Sequence, residues 1–468
     1  MRRGRAGLAG PHRRYSAHVP TPPTAASPSG PGVRRPGGWH HRRTQRALLL
    51  RFAAGSRRPE GFGYLDERGY VVPARPVELW ITARMTHVFG LGLLAGEPPA
   101  DGGPGHQELR ELAGHGVAAL LDGPLRDRRH GGWSAAVDGA DVVDPAKQAY
   151  AHAFVVLAGS TAATAGVARG EELLAAALEV QEGRFWDEAE GMVVEEWDAA
   201  WTRPDDYRGV NSAMHTVEAY LAAGAATGDR RWHERAARIA RRVAGWARER
   251  GWRVPEHFDA RWTPLPEHNR DRPADPFRPY GATVGHGLEW ARLMVTVRTS
   301  GADAGGAGAG TPDLMEAAEA LADRAVADGW AADGHDGFVY TTDWEGRPVV
   351  RQRMHWVVAE AIATSTVLHW ATGEARHVAD AERWWGYADR HLIDPADGSW
   401  RHELDPDGTP SATTWPGRPD VYHAYQAALA ADTLGAPSFA AGLAARGRAT
   451  QRGSEGHGPG GSVAGWDA

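Results

Sequence analysis

The sequence predicts an all-α protein whose twelve helices close into an (α/α)6 barrel, a toroid of two concentric rings, with short β-hairpins in the long loops at one mouth. Apolar residues recur at the helical spacings i, i+3, i+4 and i+7 in twelve stretches of the chain. Amphipathic stretches alternate with stretches that are apolar all round. Polar residues capable of acid–base chemistry occur in every second stretch, which indicates two classes of helix.

The helices fall into an outer and an inner set. The odd-numbered helices carry Arg, Glu and Ala on one face and aliphatic residues on the other, as in 231–235, so we expect them to form the outer ring. The even-numbered helices are more apolar, and buried polar residues there need partners or a cavity. We therefore expect the inner ring to line a shared space. The predicted helices are 39–54, 76–95, 105–122, 142–165, 169–182, 205–227, 230–250, 281–299, 312–329, 351–372, 375–391 and 419–434, and the inner polar residues are Arg84, Lys147, Tyr150, His215, Glu218, His286, Glu289, His355, Glu360 and His423.

The connections that lead into the inner helices are long and contain glycine, an aromatic residue and turn residues. Residues 61–66, 131–133, 337–340 and 398–400, the last followed by Asp407-Gly408, are typical of short β-hairpins. Inner-to-outer connections are shorter. The long loops should therefore gather at the mouth where the inner helices begin, and most of the polar residues lie in the first half of their helices, near that mouth.

The chain is predicted to hold one folded domain. A length of 468 residues is compatible with two or three domains, but no segment between 39 and 434 resembles a linker. We expect a single barrel over 39–445. Residues 1–38, rich in Arg, Pro, Ser and Gly, should form a disordered basic arm, and the Gly-rich residues 446–468 a disordered tail.

Composition excludes several classes of protein. The chain contains no cysteine, so disulfides, thiol catalysis and thiolate metal sites are excluded. The sequence contains no run of 18 apolar residues that could span a membrane. The Arg pairs near its start are not followed by the apolar run typical of an export signal. We therefore expect a cytoplasmic protein. The basic arm lacks interleaved aromatic residues and the net charge is −7, which disfavours a nucleic-acid partner. The sole lysine, Lys147, lies in a predicted inner helix, where a functional contact, a buried ion pair and chance occurrence are the alternatives.

Two inner helices repeat one pattern of His and Glu. His215 and Glu218, like His286 and Glu289, stand at i and i+3 and share a helix face, where a carboxylate can tune a nearby imidazole. His423 opens the last inner helix. Each histidine alone could be a satisfied core residue, but three near the starts of alternate helices could supply an acid and a base around one cavity.

A di-metal site is the alternative for such residues on bundle helices. Sites of that kind use Glu-x-x-His with further bridging carboxylates. Here the order is reversed and further carboxylates are not obvious, so we expect no metal and no cofactor.

Aromatic residues point to a sugar ligand. The chain has 20 Trp, and a few at the mouth would form platforms for the apolar faces of sugar rings. Arg84, Asn211 and Arg278 could bind hydroxyl groups. The alternatives are an ordinary ion pair for Arg84, a cap-like role for Asn211 and a solvent-facing loop charge for Arg278.

Six ordered motifs lie within about 39–434, at 80–87, 130–133, 147–150, 211–218, 285–290 and 419–425. Together they resemble the N-acylglucosamine 2-epimerase superfamily. That resemblance implies an (α/α)6 barrel that interconverts sugars at C1 and C2 by proton transfer. The chain is most similar to the aldose–ketose isomerase branch that acts on D-mannose, since 355–360 read His-Trp-Val-Val-Ala-Glu where epimerases usually have a double Trp followed by Pro-Gln.

The resemblance implies roles for individual residues. His286 and His423 would be the acid/base pair that works through a cis-enediol, with His423 as the favoured base. Glu289 would tune His286, and Arg84 would stabilise the developing oxyanion. The residues implied or suggested to bind the sugar are Tyr150, Asn211, His215, Trp356, Glu360 and Arg278.

Several functions remain open at this point. The first is interconversion of D-mannose and D-fructose, with D-lyxose and D-xylulose as a further pair. A sulfoquinovose isomerase or a sugar 2-epimerase is a related alternative. A glycoside hydrolase would need two carboxylates flanking a bond, and a non-catalytic carbohydrate-binding protein would keep only the barrel. The partner in each case is a sugar, and either a monomer or a homo-oligomer is compatible with the sequence.

Overall fold

The structure, a computed structural model, describes residues 36–301 and 312–455, and the predicted arm and tail lie outside these residues in their segments 1–35 and 456–468. Twelve of its helices form two concentric rings, so the predicted (α/α)6 barrel is confirmed. The outer helices are α1 (Trp39–Ala53), α3 (His106–Asp122), α5 (Gly170–Val180), α7 (Arg230–Glu249), α9 (Leu314–Gly329) and α11 (Ala375–Tyr387). The inner helices are α2 (Leu79–Ala95), α4 (Ala149–Thr164), α6 (Val210–Thr227), α8 (Val284–Thr299), α10 (His355–Thr372) and α12 (Tyr422–Leu429).

The inner ring is closed. Each inner helix packs against the next, from α2 through α4, α6, α8 and α10 to α12, and α12 packs back against α2. Each outer helix packs against an inner one, α1 against α12 and the others against their chain neighbours. Helix α7 shows the outer pattern, because it buries Ile239 and Val243 while its Arg-rich face meets solvent.

Small residues allow the two rings to approach closely. Gly159 of α4 faces the outer helix α5, and a Cβ atom there would lie 2.8 Å from the Cα of Leu174. Any larger side chain would push the helices apart. The glycine therefore fixes the contact between one inner helix and its outer partner.

Short strands precede the inner helices and join neighbouring loops. Strands β3, β6, β10, β12 and β15 stand directly before α2, α4, α6, α8 and α10, and each pairs antiparallel with a strand from the following long loop: β4, β9, β11, β13 and β16. The strands are β1 (Arg57–Arg58), β2 (Gly61–Phe62), β3 (Val77–Glu78), β4 (Ala136–Asp138), β5 (Asp141–Asp144), β6 (Lys147–Gln148), β7 (Trp186–Asp187), β8 (Met192–Val193), β9 (Glu196–Trp197), β10 (Tyr207–Gly209), β11 (His257–Asp259), β12 (Ala282–Thr283), β13 (Thr341–Thr342), β14 (Pro348–Val350), β15 (Arg353–Met354) and β16 (Glu403–Leu404).

One backbone hydrogen bond recurs at the start of five inner helices. The first residue of the helix donates its N–H to a carbonyl just before the paired strand, and these carbonyls belong to Ala135, Glu195, Glu256, Tyr340 and His402. The helix N-terminus thus gains an acceptor for one of its unpaired N–H groups. The repeat also sets the side chains of these five positions at the mouth. Between the last loop and the first, Arg418 donates its N–H to Leu65 and links the two ends of the ring.

The predicted boundaries differ from the structure in a regular way. The inner helices begin three to seven residues later than predicted, and before α2, α4, α6, α8 and α10 short strands occupy part of those residues. Helices α5 and α11 continue as π-helical turns over 181–185 and 388–392. The predicted hairpins are confirmed, since antiparallel bridges join Leu65 to Val71, Arg126 to Trp133, Trp330 to Phe338, Ile393 to Trp400 and Leu404 to Pro410.

A thirteenth helix was not predicted. Helix α13 (Phe439–Glu455) packs against α2, α4 and α6 and covers the end of the barrel opposite the mouth. Its apolar residues Ala440 and Leu443 are buried there. Helix α13 extends over 446–455, where the sequence predicts the start of the tail, while its buried residues Ala440 and Leu443 precede that segment. None of the helices in the described residues combines the length and apolar character needed to cross a bilayer.

Candidate active site

A cavity opens at the mouth of the barrel, above the first turns of the inner helices. Because all six inner helices point their N-terminal ends at this mouth, residues distant in the chain meet around it. The lining residues are Trp80, Arg84, Tyr150, Asn211, His215, Pro276, Phe277, Pro279, His286, Glu289, Tyr340, His355, Trp356, His402, Trp415, Pro419, Asp420 and His423. Eight of the ten predicted site residues are among them.

His286 is held by a carboxylate from a loop. Its Nδ1 lies 2.8 Å from Oε2 of Glu256, whose other oxygen lies 3.3 Å from the backbone N of Thr283. Since a carboxylate accepts, Nδ1 carries a proton, and Nε2 is the ring nitrogen that remains for the cavity. The prediction that Glu289 tunes His286 is wrong about the partner. The i+3 spacing puts Glu289 on the same helix face, but its oxygen Oε1 instead contacts Arg292 at 3.3 Å.

His423 has an equivalent arrangement with a different helix. Its Nδ1 lies 2.9 Å from Oε1 of Glu360, and the second oxygen of Glu360 accepts a hydrogen bond from Nε of Arg292 at 2.9 Å. Burial lowers the pKa of His423 well below its usual value, and the positive charge of Arg84 acts in the same direction. The ring is therefore neutral at physiological pH, and its Nε2 is a free lone pair. Glu360 lies behind His423 and does not line the cavity, so its predicted contact with the sugar is replaced by support of the imidazole.

Trp356 connects the two imidazoles. Its ring centroid is 5.3 Å from that of His286 and 5.6 Å from that of His423, in tilted arrangements. Both imidazoles line the same cavity. Two histidines from α8 and α12 thus contact one indole and line one cavity, as the acid/base prediction requires.

The floor beneath the cavity is a buried charge cluster around Arg292. The guanidinium contacts Glu289 and Glu360, while Glu218 accepts hydrogen bonds from Tyr422 and, at 2.9 Å, from Nε2 of Gln426. Burial, together with the neighbouring Glu360, raises the pKa of Glu289 well above its usual value. Glu289 therefore holds a proton more tightly than a free carboxyl group does, since one guanidinium cannot neutralise every carboxyl group nearby.

His215 lies between this cluster and the cavity. Its Nδ1 is 3.7 Å from Glu218 and 3.8 Å from Glu289. Burial lowers the pKa of His215 to about 4, so the ring is neutral. The predicted proximity of His215 and Glu218 on one helix face is present, but at a distance too long for a hydrogen bond.

Two groups of side chains in the cluster have spacings that a metal ion could use. Ligand atoms of His215, Glu218 and Glu289 lie within 4.8 Å of one another, as do those of Glu289, Glu360 and His423. The shared member, Glu289, already contacts the Arg292 guanidinium. A divalent cation in either group would stand close to that permanent positive charge, so we interpret the cluster as an ion-pair network.

Arg84 reaches the cavity wall from α2. It donates to Tyr150 at 2.8 Å and to Asp420 at 3.1 Å, and its guanidinium lies over the rings of Phe154 and Tyr422 at 4.3 and 4.6 Å. The nearby Tyr150 and Asp420 raise the pKa of Arg84 despite its burial. The side chain is therefore a fixed positive charge, and its Nε has no hydrogen-bond partner among the described residues.

Two residues singled out from the sequence lie outside the cavity. Arg278 stacks over Tyr207 at 3.9 Å and approaches Asp205 at 3.8 Å, and it is half-buried beside the mouth. Its loop turns Pro276, Phe277 and Pro279 inwards, which leaves Arg278 outside, so the prediction that it binds the sugar is not supported. Lys147 forms a buried ion pair with Asp127 at 2.7 Å.

Several site residues were missed, each for a reason that depends on its position in the chain. Glu256 lies in a loop, and only its place in the repeated strand-and-carbonyl pattern could have indicated it. Arg292 stands three residues after Glu289 on α8, and its sequence position was equally compatible with an ordinary charge on the protein surface. Asp420 and His402 come from loops that the ring closure brings together.

Comparisons with known proteins identify relatives over most of the chain. The sequence model of the N-acylglucosamine 2-epimerase (GlcNAc 2-epimerase) family matches residues 61–427. A D-mannose isomerase of Thermobifida fusca is 49% identical over 404 residues, 85% of this chain and 94% of that protein. A D-mannose isomerase of Pseudomonas cannabina pv. alisalensis is 42% identical over 399 residues, 85% of this chain and 93% of that protein.

A solved structure has the same fold. The crystal structure of a D-mannose isomerase superposes with a TM-score of 0.76 at 24% identity, and the match covers 86% of this chain and 99% of that one. At this identity the likeness concerns the barrel itself.

Proposed function

Because the chain belongs to the N-acylglucosamine 2-epimerase family, we propose that it is an aldose–ketose isomerase that interconverts D-mannose and D-fructose, and also D-lyxose and D-xylulose. The observation that carries the proposal is the pair of carboxylate-supported imidazoles, His286 and His423, on one cavity. The two D-mannose isomerases that are 49% and 42% identical add support for the substrate.

The two imidazoles are suited to proton transfer. In each ring Nδ1–H donates to a carboxylate, which leaves Nε2 as the group that meets the sugar. His423 is the proposed base, because its lowered pKa keeps it unprotonated at neutral pH. His286 is the proposed acid, which first assists opening of the pyranose ring.

Isomerisation then proceeds through a cis-enediol with all atoms retained. His423 removes the proton from C2 of open-chain mannose, the C1=C2 double bond forms, and the carbonyl oxygen on C1 receives a proton from His286. His423 then returns a proton to C1, and the C2 hydroxyl gives its proton to Nε2 of His286, which forms the C2 carbonyl of fructose and restores both rings. The fixed charge of Arg84 favours the oxyanion that develops between these steps.

The cavity favours an uncharged sugar over a sulfonated one. Among the described residues that line it, Arg84 is the only Arg or Lys, and it already pairs with Asp420. A sulfonate buried there would find no unpaired permanent cation, and burial of an unpaired charge is costly. We therefore place sulfoquinovose behind mannose and lyxose as a substrate.

A glycoside hydrolase is less compatible with the same cavity. The carboxyl groups among the described lining residues are Glu289 and Asp420. Asp420 accepts from Arg84 and from the backbone N of Tyr422 at 2.8 Å, so it is engaged at the start of α12. Glu289 stands on the floor beside Arg292. Neither is placed as one of two free carboxyl groups across a bond.

Incubation of the purified protein with D-mannose and a chelator in deuterium oxide tests the proposal. We expect D-fructose that carries deuterium at C1, since an imidazole exchanges its proton with solvent. D-glucose as the main product would instead make the protein a 2-epimerase. Fructose formation that requires added metal, or no conversion of mannose and lyxose, would overturn the proposal.

A further inference from the structure

Two imidazoles that the proposed acid/base chemistry does not use stack at the mouth of the barrel. The rings of His355 and His402 have centroids 3.7 Å apart and an interplanar angle of 23°. Both line the cavity, with exposed fractions of 4% and 8%. His355 is the first residue of α10, directly before Trp356, so it stands beside the indole that both catalytic rings contact.

Backbone carbonyls set the protonation of both rings. Nε2 of His402 lies 3.0 Å from the carbonyl oxygen of Asp420. Nδ1 of His355 lies 3.4 Å from the carbonyl oxygen of His402, which also accepts the backbone N–H of His355 at 3.0 Å. A carbonyl oxygen can only accept, so the proton of the neutral His355 ring is on Nδ1 and its Nε2 is an acceptor.

The surroundings keep His355 neutral. Burial lowers its pKa to about 4, with Arg84 and Arg418 acting in the same direction and Asp420 against it. Among the described residues, no carboxylate supports the ring in the way that Glu256 supports His286. His355 is therefore suited to accept a hydrogen bond and unsuited to carry a proton between carbons.

The acceptor atom has no partner. Nε2 of His355 is buried and makes no hydrogen bond with any described residue. An unsatisfied buried acceptor costs free energy, and a ligand that donates a proton there would remove that cost. A sugar hydroxyl is such a donor, whereas a carboxylate, a sulfonate or a fully ionised phosphate has no proton to offer.

We propose that His355 is a specificity-determining residue whose Nε2 accepts a hydrogen bond from a hydroxyl group of the open-chain sugar, with His402 holding the ring in place. The inference rests on the proposed function and deepens it. Contact beside Trp356 would align the chain so that C1 and C2 face the two catalytic imidazoles. Removal of that hydroxyl, or of the acceptor, should lower kcat/KM by the same factor.

The test compares His355→Phe with a matched control. Phenylalanine keeps a planar ring for stacking and removes the acceptor. The control is His377→Phe, because His377 is 3% exposed and its Nε2 is likewise unpartnered, but it lies on the outer helix α11. We expect kcat/KM for D-mannose to fall about 5- to 50-fold in His355→Phe and to stay near wild type in the control.

A series of 3-, 4- and 6-deoxy-D-mannose identifies the contact. In the wild type, one deoxy sugar should lose about 5- to 50-fold in kcat/KM, and in His355→Phe that sugar should equal mannose within about twofold. Equal losses for every deoxy sugar in both proteins would overturn the inference. Absence of mannose turnover in the wild type would instead overturn the proposed function.

A second measurement tests His355 without turnover. In protein labelled with ¹⁵N-histidine, the resonances lost in His355→Phe identify the ring, and we expect an unprotonated Nε2. D-mannitol, an open-chain hexitol, should shift that Nε2 resonance in the direction of hydrogen bonding. A protonated Nε2, or no shift at saturating mannitol, would overturn the inference even if the isomerase activity is present.

Discussion

Glu256 and His286 form a hydrogen-bonded pair at 2.8 Å that joins a loop to the first turn of an inner helix. The pair is possible because the carbonyl of Glu256 also receives the first N–H of α6, which places its side chain at the mouth. Glu195 occupies the same position one repeat earlier, but its carboxylate binds the Ser212 hydroxyl at 2.8 Å. Equivalent loop positions thus carry one carboxylate that contacts a cavity imidazole and one that contacts a serine hydroxyl.

The first prediction concerns this pair. Glu256→Gln should lower kcat for D-mannose by about 10-fold or more with a smaller change in KM, because the amide no longer orients and stabilises a protonated His286. Steady-state kinetics check it, with Glu195→Gln as the matched control expected to keep kcat. Equal losses in the two variants would indicate a general effect of the loops instead of support for His286.

The second prediction is the pH dependence of the base. A lowered pKa keeps His423 unprotonated in mildly acidic solution, so the acidic limb of the kcat/KM profile should lie below pH 6.5, the usual value for histidine. His423→Asn should lower kcat by about 10²- to 10⁴-fold. His87→Gln, a change of a buried histidine at the far end of the barrel, is the control that should keep turnover. An acidic limb above pH 6.5 would contradict His423 as the base.

The third prediction concerns the buried guanidinium. Arg292→Met leaves Glu289 and Glu360 without their shared cation, and removal of one member of a buried ion-pair network costs about 3–5 kcal/mol. Urea unfolding measures the loss. Adding Glu289→Gln should recover part of it, since one of the uncompensated carboxyl groups is then removed. If the Arg292→Met variant is as stable as the wild type, the stability of the network does not depend on Arg292.

The fourth prediction follows from the raised pKa of Glu289. Between its usual value of 4.5 and the raised folded value, the folded protein holds a proton that the unfolded chain releases. Stability should therefore fall as pH rises through that window, by up to about 1.4 kcal/mol per pH unit. Glu289→Gln should remove this pH dependence. The stability of the variant should therefore rise relative to that of the wild type as the pH approaches neutrality. Thermal unfolding from pH 5 to 8 checks it, with the exposed Glu249→Gln as control.

Much of the fold follows from local patterns. Helical periodicity and the alternation of amphipathic and apolar stretches were sufficient to predict two rings. An amphipathic helix buries one face and exposes the other, whereas a helix that is apolar all round must be buried on every side. Short strands before the inner helices were assigned to those helices, since two or three residues show no alternation of their own. Helix α13 was missed because its apolar face is weak and its partners belong to α2, α4 and α6.

The sequence by itself determined which histidines would meet, because residues in the first turns of alternate helices must face one mouth once the ring closes. Only the tertiary structure decided their partners. Glu256 is 30 residues from His286, and Glu360 is 63 residues from His423. Spacing along one helix favoured Glu289 as the partner of His286, yet the fold turned that carboxyl towards Arg292. Side-chain pairing across helices and loops depends on the distances set by ring closure, which no local pattern records.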